Sequence, residues 1–216
     1  MNYQAVVWDL DGTLLDTLDD LTDAVNHTVA LFGMPTHSRE AVCRFVGNGI
    51  HKLIERAVPA GTDEAKQTEV YEEFCTYYKA HCNDKTKPYP GILPLLDTLG
   101  AAGVSSAIVS NKGDFAVKEL AKIYFGGRVA AAVGGRDGIR LKPAPDAVFA
   151  ALAEMGVPAS RAVFIGDSDV DIRTAENAGM DCISVSWGFR EAEFLARSGA
   201  QRILDTPEAV LAAILG

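Results

Sequence analysis

Positive charge is scarce in this sequence: 20 lysines and arginines stand against 29 aspartates and glutamates, for a net charge of −9 and a pI near 4.9. So acidic a chain cannot neutralise a phosphate backbone or an anionic bilayer, which excludes nucleic acid and membrane surfaces as partners. Cysteine is rare too. The four present (Cys43, Cys75, Cys82, Cys182) form no CxxC pair and are too few for a disulfide framework, so they are expected to be reduced thiols of a cytoplasmic protein. Cys75 and Cys82 lie seven apart, on one helical face, a packing arrangement. The four histidines (His27, His37, His51, His81) have no metal-ligand spacing. No apolar run reaches membrane-spanning length, and no basic segment precedes the first apolar run. Repeats and low-complexity tracts are missing as well. What remains is 216 residues, 48% hydrophobic and 23% charged, enough for one large globular domain or one domain with a substantial insertion.

The chain is organised around Val6-Val7-Trp8-Asp9-Leu10-Asp11-Gly12-Thr13-Leu14. An apolar run leading into two aspartates and a glycine predicts a buried strand that ends in paired carboxylates. Alternate strand residues share a side, so Asp9 and Asp11 can face one site. Crowded carboxylates repel, and a divalent cation with oxygen ligands relieves that repulsion. The competing reading is a plain acidic turn whose aspartates cap the next helix.

Beyond Gly12 the apolar period becomes helical, through Leu14, Leu18, Leu21, Val25, Val29 and Phe32, until Gly33 and Pro35. Further helices are predicted after Ser38, over 51–58 and from Thr62 to about Tyr78 or His81. Asp19, Asp20 and Asp23 read as a solvated helix face. Residues 16–87 thus form an all-helical insertion, which the stiff segment Pro88-Tyr89-Pro90-Gly91 closes. Strand and helix then alternate. Strands are predicted over 106–109, 129–133, 162–165 and 182–185. Helices are predicted over 93–102, 114–122 (capped by Asp114), 145–155, 169–178 and from Pro207. This rhythm implies an α/β, Rossmann-like parallel sheet with helices on both faces, built from residues 1–15 and 88–216.

Three predicted strands end in polar residues: Asp9 with Asp11, Ser110 with Asn111, and Asp167. In open α/β sheets, ligands bind outside the carboxyl ends of the strands, so these segments can meet in one crevice. Lys142, in Leu141-Lys142-Pro143-Ala144-Pro145, falls between two of them. Arg44 and Lys52 flank a glycine turn, and Trp187 follows a strand; these are read as a solvated pair and a packing residue.

Together the pieces resemble the haloacid dehalogenase superfamily of phosphatases. The first motif of that superfamily, DxDGT with a hydrophobic pair, stands as Asp9 to Leu15. The second stands as Ser110-Asn111-Lys112, the third as Lys142 in its KPxP setting, and the fourth as Gly166-Asp167-Ser168-Asp169-Val170-Asp171 through Ala178-Gly179. The helical insertion resembles the superfamily's cap domain. Val46-Gly47-Asn48-Gly49-Ile50 and Val185-Ser186-Trp187-Gly188-Phe189 are similar to segments of phosphoglycolate phosphatases.

The resemblance implies Asp9 as nucleophile, forming an aspartyl-phosphate, and Asp11 as general acid and base. It implies Mg²⁺ held by the Asp9 carboxylate, the Asp11 backbone carbonyl and the Asp167 carboxylate. Asp171 would orient these ligands, while Ser110, backbone donors near Asn111, and Lys142 would hold the phosphoryl oxygens. The implied substrate is a small phosphorylated metabolite such as 2-phosphoglycolate. A phosphosugar mutase or a pyrophosphatase of the same superfamily is the alternative, and a non-catalytic binding module the reading from another class. Nothing in the sequence specifies an oligomeric state.

Overall fold

The computed structural model describes residues 3–216, which divide into two compact units, 16–87 and the remainder. In chain order the elements are β1 (Ala5–Trp8), β2 (Leu15–Asp16), α1 (Leu18–Leu31), α2 (Arg39–Phe45), α3 (Ile50–Ala57), α4 (Glu64–His81), β3 (Lys87–Pro88), α5 (Ile92–Ala101), β4 (Ser105–Gly113), α6 (Asp114–Tyr124), β5 (Ala131–Gly135), α7 (Asp146–Met155), β6 (Ala162–Gly166), α8 (Asp169–Ala178), β7 (Asp181–Val185), α9 (Ala192–Arg197), β8 (Ile203–Leu204) and α10 (Pro207–Leu215).

The larger unit is a six-stranded parallel sheet in the order β5-β4-β1-β6-β7-β8. Its strands read as continuous apolar runs because both faces are covered. Val6, Trp8, Ile108, Val163 and Ile165 pack against Leu96 and Leu99 of α5, Val117 and Leu120 of α6, and Val210 and Ile214 of α10. The alternating set Ala5, Val7, Ala107, Val109 and Phe164 packs against Val148 and Ala151 of α7 and Ala175 of α8. The Trp8 indole is fully buried and donates to Ser106 Oγ at 3.2 Å.

The strand order positions the site. From β1 the chain builds outward through β4 and β5, then returns to the other side of β1 to add β6, β7 and β8. The carboxyl end of β1 is therefore flanked by those of β4 and β6, the crevice at which such sheets bind ligands.

In the helical unit, Leu21, Val25 and Val29 of α1, Val42 of α2, Leu53 and Ile54 of α3, and Val70, Phe74 and Tyr78 of α4 form the interior. Ser38 and Asp63 cap α2 and α4 through Ala41 N–H and Lys66 N–H.

Three local expectations are corrected. The first helix begins at Leu18, because Leu14 and Leu15 are buried in the core of the sheet unit. Asp20 is buried rather than solvated: its carboxylate accepts from Lys85 N–H (2.9 Å), Thr86 N–H (2.9 Å) and Thr86 Oγ–H (2.7 Å). Asp114 does not cap its helix; it accepts from Gly134 N–H and pairs with Arg136 and Lys118. Burial opposes ionisation of Asp114, but the Lys118 hydrogen bond, with Gly134 N–H and the Arg136 charge, holds its carboxyl below the usual value.

Candidate active site

Asp9 follows β1 directly, and its N–H still bonds to Ile165 O at 2.8 Å, continuing the ladder. At the end of β6, Ser168 caps α8 through a reciprocal pair: its hydroxyl accepts from Asp171 N–H, while its own N–H and Oγ–H donate to Asp171 Oδ2 at 3.0 and 2.6 Å. The first turn of α8 thereby fixes Asp171, which leaves Oδ1 facing inward to Lys142 Nζ at 2.7 Å.

Lys142 is the hub. Its ammonium, on a side chain 4% exposed, lies 2.8 Å from Asp9 Oδ1 as well as 2.7 Å from Asp171. Its backbone is pinned by the Asn111 amide, which accepts from Lys142 N–H (2.7 Å) and donates to Lys142 O (3.0 Å). The Asn111 side chain is thus committed to holding Lys142 in place.

Asp167 accepts from Phe189 N–H at 2.6 Å and lies 3.5 Å from Thr13 Oγ. Two glycines make room for it. Gly12 has φ of +88°, and a Cβ there would fall 2.3 Å from Asp167 Oδ2; a Cβ on Gly188 would fall 2.3 Å from Gly12 O and 2.4 Å from Asp167. The Trp187 indole donates to Thr13 O at 3.0 Å, tying the loop after β7 to the turn after β1.

Asp11 turns toward β4. Lys112 Nζ donates to its Oδ1 at 2.8 Å, and Ser110 Oγ lies 3.5 Å from its Oδ2. The structure therefore brings Asp9, Asp167, Asp171 and Lys142 into one cluster, with Asp11, Ser110 and Lys112 grouped beside the same strand ends. Sequence reasoning assigned no role to Lys112, Thr13 or the Phe189 N–H. The signal for Lys112 was its spacing, two residues beyond Ser110 along a strand.

The donor set fits a hard divalent cation. Asp9, Asp167 and Asp171 each offer an oxygen within 4.8 Å of the others, all three buried. Burial and then the charge of Asp171 raise Asp9 well above the usual carboxylate range, and the same two causes push Asp167 up to about 7. Burial works against the Lys142 ammonium, yet Asp171 and Asp9 outweigh it and raise its pKa. One ammonium shared by two carboxylates leaves Asp9 incompletely compensated, and oxygen-preferring Mg²⁺ suits the deficit.

The haloacid dehalogenase-like hydrolase family matches residues 6–185. Phosphoglycolate phosphatase of Pseudomonas syringae pv. tomato is 34% identical over 206 residues, 93% of this chain and 75% of the relative. That of Agrobacterium fabrum is 33% identical over 189 residues, 86% and 81% of the two chains. A crystal structure of a candidate phosphoglycolate phosphatase from Lactobacillus delbrueckii subsp. bulgaricus is 39% identical, covers all of both chains and superposes with a TM-score of 0.96. CbbY from Rhodobacter sphaeroides, solved with phosphate, is 28% identical over 95% of both chains with a TM-score of 0.74. The chain belongs to the haloacid dehalogenase-like hydrolase family and is a hydrolase.

Proposed function

We propose that this enzyme is a Mg²⁺-dependent phosphatase that hydrolyses a small phosphomonoester, 2-phosphoglycolate, through an aspartyl-phosphate on Asp9. The observation that carries this reading is the Lys142 ammonium bridging Asp9 and Asp171 beside Asp167. A carboxylate nucleophile, a buried cation for phosphoryl charge and a set of metal-ligating oxygens meet at one sheet edge. The names of the relatives support the substrate.

In this mechanism Asp9 attacks phosphorus, and the bond from phosphorus to the alcohol oxygen breaks as the new one forms. Asp11 gives its proton to the departing oxygen and takes one back from the water that cleaves the acyl phosphate, restoring Asp9 and releasing phosphate. Ser110 and Lys142 hold phosphoryl oxygens, and Asp171 keeps Lys142 aimed at them. Asp9, Asp167 and the Asp11 carbonyl would hold Mg²⁺, whose chemistry here is to offset phosphoryl charge against the carboxylates. The helical unit, residues 16–87, serves as the cap that selects the alcohol.

The test is Asp9→Asn with 2-phosphoglycolate. Phosphate release is expected to fall more than about a thousandfold while the fold persists; turnover near the parent rate overturns the nucleophile. A panel of phosphorylated metabolites ranked by kcat/KM, with isomer formation monitored alongside phosphate, tests the substrate and separates hydrolysis from transfer.

A further inference from the structure

Lys112 is a charge that the mechanism above leaves unused. Its side chain is 4% exposed, a position a lysine occupies at high cost unless it is paired. The pairing is specific: Nζ lies 2.8 Å from Asp11 Oδ1, across 101 residues of sequence. The strand places it there. Ser110 and Lys112 are two apart along β4, hence on one side of it, and Lys112 N–H also bonds to Ser110 Oγ at 3.2 Å. The register of β4 against β5 shifts between Val109 and Gly113, re-aiming the stretch that carries both residues. Gly134 of β5 lets this stretch approach: a Cβ there would fall 2.7 Å from Lys112 O and 2.5 Å from Asp114 Cα. The backbone beneath Lys112 is thus held by close packing, and its ammonium has a fixed address.

We propose that Lys112 is the positioning residue for Asp11, holding its carboxyl where it can deliver a proton to the leaving oxygen; this rests on the acid and base role given to Asp11 above. In the first step the bond from Asp9 oxygen to phosphorus forms, the bond to the ester oxygen breaks, and the Asp11 proton passes to that oxygen. Lys112 keeps its own protons throughout and forms no covalent bond. Its ammonium stays hydrogen-bonded to the carboxylate that remains on Asp11. Lys142 serves the phosphoryl oxygens, and Lys112 serves the leaving group.

This division predicts a dependence on the leaving group. An alkoxide needs the proton that Asp11 brings, whereas p-nitrophenolate departs without it. For Lys112→Met, kcat/KM on ethyl phosphate is expected to fall at least about tenfold further than on p-nitrophenyl phosphate, a fraction of what general acid catalysis contributes. The ratio kcat/KM reports only steps through alcohol release, so the later use of Asp11 as a base does not enter it. Lys112→Arg, which keeps the charge, should recover part of the selective loss. If Lys112→Met fails to fold, the same comparison between Lys112→Arg and the parent decides, with a smaller split expected.

Asp11→Asn, measured alongside, separates the two claims. If it shows no leaving-group split, the acid role of Asp11 falls. If it does, and the Lys112 variants lower both substrates equally or neither, the positioning role falls. Adding Lys112→Met to Asp11→Asn should produce no further split; a further split shows that Lys112 acts on substrate independently of Asp11 and overturns the proposal.

Discussion

Removing the charge of Asp167 should make the metal-free protein more stable at neutral pH, and the size of the gain follows from its surroundings. Burial and the neighbouring Asp171 raise its carboxyl from 3.8 to about 7. Between those values the folded chain holds a proton that the unfolded chain has released. Unfolding therefore becomes easier as pH rises through this window, and the loss is complete above the folded value. A rise of about three pH units, at about 1.36 kcal/mol each, is worth about 4 kcal/mol. Asp167→Asn cannot titrate and keeps an oxygen for Phe189 N–H. It should match the parent near pH 4 in EDTA and exceed it by up to about 4 kcal/mol at pH 8. With Mg²⁺ at about a hundred times its dissociation constant, the parent should recover about 2.7 kcal/mol and the variant much less. Urea unfolding followed by tryptophan fluorescence is the assay, since both tryptophans, Trp8 and Trp187, lie in the sheet unit. A parent-to-variant difference that does not change with pH in EDTA would refute the reasoning.

Gly188→Ala places a methyl group against Gly12 O and Asp167. It should raise the Mg²⁺ concentration for half-maximal activity about tenfold by displacing that carboxylate, as a magnesium titration would show. Asp20→Ala removes the acceptor of Lys85 N–H and Thr86 N–H and leaves the Thr86 hydroxyl only Cys82 O, and should destabilise the helical unit by about 3 kcal/mol in urea unfolding followed by far-UV circular dichroism. Thr28 is fully buried with no partner for its hydroxyl among the described residues, so Thr28→Val should stabilise the same unit by about 1 kcal/mol, read as slower amide exchange in α1.

The parallel sheet was legible because its strands announce themselves as apolar runs, and the candidate site because Asp9, Ser110 and Asp167 each follow such a run. Which strands would stand side by side was not legible from spacing. That β4 and β6 flank β1 emerges only from the pairing. Asp20 misled for a related reason. Periodicity placed it with Asp19 and Asp23 on a polar stripe, but the backbone that buries it arrives 65 residues later, from Lys85 and Thr86. Asp114 stands where a helix cap belongs, yet Gly134 N–H and Arg136 across the sheet edge claim its side chain. Lys112 sat inside a recognised motif without an assigned role, since a lysine beside a turn reads as solvated until Asp11 is placed next to it.

The Tyr89 N–H donates to Leu14 O at 3.1 Å, so the core's own backbone closes on itself at the point where the helical segment departs and returns. For the sheet unit, everything between those two residues is a long detour from one bonded spot to its neighbour. Loop-closure entropy grows slowly with length, so such a detour can lengthen, shrink or be exchanged for another with little consequence for the architecture that holds the carboxylates. A scaffold closed this way can trade the excursion for another and keep the backbone that carries its carboxylates.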